Sequence, residues 1–98
     1  MKKTLLLLCL LLCTTAYGQN KIKVACVGNS VTYGAGIENR EVNSYPAQLQ
    51  RMLGDGYKVV NFGKSGATLL NKGHRPYCEQ EEYKAALDFA GDRVVIHL

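Results

Sequence analysis

The chain has 98 residues, of which 47% are hydrophobic and 20% charged, and a formal net charge of +4. That length allows one domain at most. A strong nucleic-acid binder is disfavoured, because the positive charge is not gathered into a basic patch. No apolar stretch reaches the roughly 20 residues needed to cross a bilayer core.

The N-terminus carries an address. Met1-Lys2-Lys3 is a short basic start, Leu5 to Leu12 is an unbroken apolar run, and Ala16 and Gly18 are small residues placed for a cut after Gly18. This is the layout of a secretory signal peptide over residues 1–18, so the protein is expected to be secreted or periplasmic. Lipid anchoring at Cys13 is not expected, since Leu12 before it is not small. Residues 19–98 then form the folded part. Losing the leader removes two lysines and no acid, which takes the net charge to +2 over 80 residues. A domain of that size is marginal without staples.

Lys21 to Val27 is short and β-rich and ends at Gly28, so it predicts a first strand. Glycines 28, 34 and 36 mark a loop, and Ser44 with Pro46 predicts a helix start. Tyr45, Leu49, Met52 and Leu53 fall on one face of that helix, and Gly54 and Gly56 end it. Tyr57 to Phe62 predicts a second strand, and Gly63 to Gly73 a loop. Glu79, Glu81 and Glu82 crowd the start of a second helix, where negative charge suits the dipole. Its apolar face is Tyr83, Ala86, Leu87 and Ala90, with Gly91 as the stop, and Arg93 to Leu98 predicts a third strand.

Strand starts about 35 residues apart, with a helix between each pair, suit βαβ crossovers in a parallel sheet. Such sheets carry five or more strands, and this chain stops within its third. The expectation is therefore the N-terminal piece of a longer protein, because a natural end there would leave an open apolar edge. Cys26 lies in the first strand and reads as a buried free thiol, although a pairing with Cys78 is open. No C-x-x-C is present, so a zinc or thioredoxin-type site has no support. No metal and no cofactor are expected.

Open parallel sheets bind ligands beyond the carboxyl ends of their strands. Two loops leave such ends, Gly28 to Gly36 and Asn61 to Thr68, and both are rich in glycine, hydroxyls and asparagine. Gly63-Lys64-Ser65 fails as a P-loop because residue 58 is lysine, and Gly34-x-Gly36 fails as a dinucleotide fingerprint because residue 39 is asparagine. What remains is a serine after a strand, at Gly28-Asn29-Ser30, read either as a nucleophile or as a turn serine.

The segment Val27-Gly28-Asn29-Ser30-Val31-Thr32-Tyr33-Gly34 resembles the first conserved block of the SGNH hydrolases, also called GDSL esterases. Ser44-Tyr45-Pro46-Ala47-Gln48-Leu49 is similar to the start of their first helix. Val59 to Thr68, with its Asn61-x-x-x-Ser65-Gly66-x-Thr68 core, resembles their second block, and Arg93 to Leu98 looks like the strand leading to the third. The resemblance implies a flavodoxin-like three-layer α/β/α sandwich, of which only three strands are present, and ester hydrolysis. Ser30 would be the nucleophile, and the N–H groups of Ser30 and Gly66 two donors of an oxyanion hole. Asn29, where many members have Asp, and Asn61 would support the loops. The general base, a His, and a third donor, an Asn, would lie beyond Leu98. His74 and His97 match neither. The loop Lys72–Tyr77 and the acidic helix look similar to secreted members that remove O-acetyl groups from sugars such as sialic acid or xylan. The expected partner is thus a small-molecule or carbohydrate ester, with no nucleic acid and no membrane span. The isolated fragment is expected to be inactive, and a carbohydrate-binding domain on the same fold is the alternative.

Overall fold

In the computed structural model, residues 20–98 are described; the leader expected over 1–18 lies outside them. Strand β1 is Ile22–Gly28. Two single-turn helices follow, α1 (Ser30–Tyr33) and α2 (Arg40–Asn43), and then the longer α3 (Tyr45–Leu53). Strand β2 is Tyr57–Gly63, a 3₁₀ turn covers Tyr77–Glu79, α4 is Glu81–Phe89, and β3 is Arg93–His97. Each expected strand and both expected helices are present. The single turns α1 and α2 are too short to leave a periodic signal.

The sheet is parallel, in the order β2-β1-β3. β1 is therefore central, and this explains why Val24, Ala25 and Cys26 are the most deeply buried strand residues. Its alternate side chains meet different helices. Cys26 faces Tyr45 of α3, whereas Ala25 lies against Gly91, just past α4. On β2 the same alternation sends Phe62 to Phe89 of α4, with ring centroids 5.4 Å apart. Burial of these apolar groups supplies most of the driving force. The fold is α/β, as the pattern of strands and helices implied.

β2 is an edge strand, and its outer side is occupied by one side chain. Gln50 of α3 donates from Nε2 to the Tyr57 carbonyl at 2.9 Å and accepts from the Val59 N–H at 2.7 Å. An amide thus takes the place of a neighbouring strand. Two helix faces differ from expectation. Met52 is 82% exposed and Leu87 61% exposed. Periodicity assigns a face but not how far the sheet beneath it extends, and three strands reach only Tyr45, Pro46, Ala47, Leu49 and Gln50 of α3. β3 is exposed along its whole length. Both Cys26, fully buried, and Cys78, exposed, are free thiols.

Candidate functional site

The carboxyl ends of the three strands lie level: Gly28 pairs with Gly63 on one side and with His97 on the other. The two loops singled out in the sequence thus start side by side. Chain direction across the sheet reverses at β1, and such a switch point is where open α/β sheets hold ligands.

Ser30 stands two residues past β1, half-buried, as the first residue of α1. Asn29 fixes this turn from both sides. Its N–H donates to the His97 carbonyl at 3.2 Å, and its Oδ1 accepts from the Val31 N–H at 3.2 Å, capping the helix. The first is a backbone bond open to any residue but proline; the cap needs an amide or carboxylate oxygen but no charge, so Asn serves. The carbonyl of Ser30 accepts from Gly34 and Ala35. Its own N–H, at the first helical position, has no intrahelical acceptor.

The second loop is tied to the first. The Lys64 N–H donates to the Gly28 carbonyl at 2.9 Å, and the Asn61 amide bridges outward. Asn61 Nδ2 donates to the Thr32 carbonyl at 2.7 Å while its Oδ1 accepts from the Gly63 N–H at 2.8 Å. Gly63 presses so closely on the Tyr33 backbone that a Cβ there would collide with it. Ala67 N–H closes a turn on the Lys64 carbonyl at 3.1 Å, with exposed Gly66 at its third position and a φ of 81°. Among the described residues, no backbone carbonyl accepts from the Ser30 N–H or the Gly66 N–H. The arrangement can therefore offer two backbone donors and a hydroxyl at neighbouring strand ends.

Two residues on from Ser30, Thr32 forms a part-buried polar pair with Tyr45. Thr32 is fully buried, and its Oγ1 is 3.0 Å from the Tyr45 hydroxyl. Burial pushes the Tyr45 phenol up, against the opposing hydrogen bond to Thr32. Burial also pushes the Cys26 thiol up, partly offset by the Tyr45 hydroxyl. A buried thiol held in its neutral form is chemically inert.

Sequence reasoning singled out Asn29, Ser30, Asn61 and Gly66; Asn29, Ser30 and Gly66 sit on the segments that follow β1 and β2, and Asn61 is near the end of β2 itself. It missed three contributors. Thr32 and Tyr45 were in view, but their pairing spans 13 residues and no spacing rule reports it. Arg75, which donates from Nη1 to the Ser65 carbonyl at 2.9 Å, left no pattern at all. Both histidines are exposed, and of His97 only the carbonyl takes part. Two hollows flank the sheet without reaching Ser30 or Gly66. One of about 490 Å³ is lined by Arg40, Pro46, Gln50 and Asn61; an apolar groove of about 310 Å³ is lined by Val27, Tyr77, Leu87 and Ile96. Among the described residues no three His, Cys, Asp or Glu side chains gather as a metal site requires, and no helix is long and apolar enough to cross a membrane.

No family model matches the chain, and no solved structure matches it significantly. Over 80 residues the chain is 55% identical to an acetylxylan esterase of Xylanibacter ruminicola. The match takes in 82% of this chain and 17% of that relative, so the chain spans about one sixth of the relative's length. A stretch of 80 residues within 98 necessarily includes both loops of the site.

Proposed function

We propose that this chain is the N-terminal part of a serine esterase domain of the SGNH type, exported behind a cleaved leader and acting on O-acetyl groups of a carbohydrate. The observation that carries the proposal is the 55% identity to an acetylxylan esterase across both strand-end loops. The N–H groups of Ser30 and Gly66, which no backbone carbonyl engages among the described residues, support it. In this reading Ser30 Oγ attacks the ester carbonyl and its proton passes to a His beyond Leu98. The carbonyl oxygen becomes an oxyanion held by the N–H groups of Ser30 and Gly66 and by an Asn from the downstream chain. Collapse expels the sugar hydroxyl, which takes up the proton, and leaves acetyl-Ser30. Water then attacks the acyl carbon, releases acetate and restores Ser30. Further strands beyond β3 would complete a three-layer sandwich and close a cleft over Ser30. Of the two sugars considered, xylan is favoured over sialic acid by the relative's activity.

The test compares the full-length protein with its Ser30→Ala variant on 4-nitrophenyl acetate and on acetylated xylan. Turnover is expected to fall by roughly 10,000-fold or more. Equal turnover removes Ser30 from the mechanism, and binding of acetylated xylan without hydrolysis by the parent replaces the esterase with a binding module.

A further inference from the structure

The Ser65–Gly66 peptide is one planar unit, so its carbonyl and its N–H point in opposite directions. Whatever holds the Ser65 carbonyl therefore aims the Gly66 N–H. We infer that Arg75 is a positioning residue for the Gly66 donor, acting through the Ser65 carbonyl; the inference rests on the esterase reading above.

The turn itself shows why such a hold is needed. The Ala67 N–H bonds to the Lys64 carbonyl at 3.1 Å, Gly66 has a φ of 81°, and Ser65 is not among the positive-φ residues. That is the type II pattern. Types I and II share the same closing hydrogen bond and differ by a rotation of the central peptide, here Ser65–Gly66. Glycine at the third position removes the steric bias between them. Left alone, the peptide could turn over and point the Gly66 N–H the other way without breaking the turn.

Arg75 biases that choice. Its Nη1 donates to the Ser65 carbonyl at 2.9 Å, a charge-assisted bond that exists in only one of the two arrangements. The same nitrogen would be 3.5 Å from a Cβ placed on Gly66, so the guanidinium packs against the turn it holds. A cation on the carbonyl also polarises the peptide and makes its N–H a better donor. Arg75 is in turn anchored to the loop by its backbone. Its carbonyl accepts from the Thr68 N–H at 2.8 Å, and Tyr77 N–H returns a bond to the Thr68 carbonyl at 2.9 Å.

The experiment measures full-length Arg75→Ala, Arg75→Lys and Ser30→Ala on 4-nitrophenyl acetate, a substrate too small to reach remote contacts, with thermal unfolding of each. Arg75→Ala is expected to lose about 100-fold in kcat, the size of a lost oxyanion donor, with KM within about threefold and unfolding temperature unchanged. Arg75→Lys keeps a cationic donor and is expected to recover about tenfold of that loss; added guanidinium should recover part of the Ala variant's activity. Unchanged kcat in Arg75→Ala beside an inactive Ser30→Ala overturns the inference and leaves the esterase reading standing. So does a rise in KM alone, or equal losses in the Ala and Lys variants accompanied by a lower unfolding temperature. A fully active Ser30→Ala overturns both.

Discussion

Asn61 Nδ2 donates to the carbonyl of Thr32 at 2.7 Å, across 29 residues of chain. The other end of the same amide receives the Gly63 N–H. One side chain thus holds the end of β2 against the helix that begins at Ser30. Asn61→Asp keeps the acceptor and removes the donor, setting a carboxylate against a carbonyl. Asn61→Leu removes both. Each variant is expected to lose about 1–3 kcal/mol of stability, the cost of an unsatisfied part-buried polar group. Urea unfolding of the full-length protein checks this, through a lower midpoint at unchanged slope.

Gly63 has no room for a side chain, because a Cβ would strike the Tyr33 nitrogen and Cα. Backbone cannot swing aside as a flexible side chain can. Gly63→Ala is expected to destabilise by about 1–3 kcal/mol as overpacking does, and, on the esterase reading proposed above, to lower turnover by displacing α1. Gly56, where an added Cβ meets nothing within 4 Å, is the control. Gly56→Ala should stay within about 0.5 kcal/mol. Paired thermal melts and 4-nitrophenyl acetate assays separate the two.

Tyr77 donates from its hydroxyl to the Phe62 carbonyl at 2.6 Å. Burial first, and the Glu82 carboxylate second, push its phenol from 10.0 up to about 12. The folded state therefore holds this proton over a range where the unfolded chain has lost it. Stability is fully present below pH 10 and is lost as the pH rises from there toward 12. Tyr77→Phe should cost about 1 kcal/mol at neutral pH for the lost hydrogen bond. It should also flatten the alkaline limb. Unfolding midpoints measured from pH 8 to 11.5 would show whether that limb belongs to Tyr77.

Cys26 and Cys78 should respond differently to a thiol reagent. Cys78 is exposed, whereas Cys26 is fully buried with its thiol pushed up. Iodoacetamide at pH 8 is expected to modify Cys78 in the native protein and Cys26 only after unfolding. Peptide mass mapping reads both positions; modification of native Cys26 would mean that the sheet opens at β1.

The order of strands and helices was legible because each relies on local chemistry: β-branched runs for the strands, Pro46 and the Glu81–Glu82 pair for the helix starts. The two loops were legible as glycine-, hydroxyl- and asparagine-rich segments after strand ends, but the helix turn that Asn29 caps was not, because a single turn leaves no periodicity. What could not be read is what happens between distant segments. Gln50 filling the edge of β2, Thr32 paired with Tyr45, and Arg75 on Ser65 are each a contact between residues whose types fit many environments. Exposure of Met52 and Leu87 belongs with these, because amphipathic spacing fixes direction while burial needs a partner on the far side.

The central place of β1 has a kinetic consequence. Its first neighbour, β2, begins 29 residues after β1 ends, but its second, β3, begins only 65 residues after it. Lys23 N–H waits for Asp92, 69 residues later, and the Asn29 N–H for the His97 carbonyl. Loop closure over such separations is slow. On a ribosome, the turn that carries Ser30 is therefore half-anchored until β3 has emerged. It sets only when β3 takes its place beside β1.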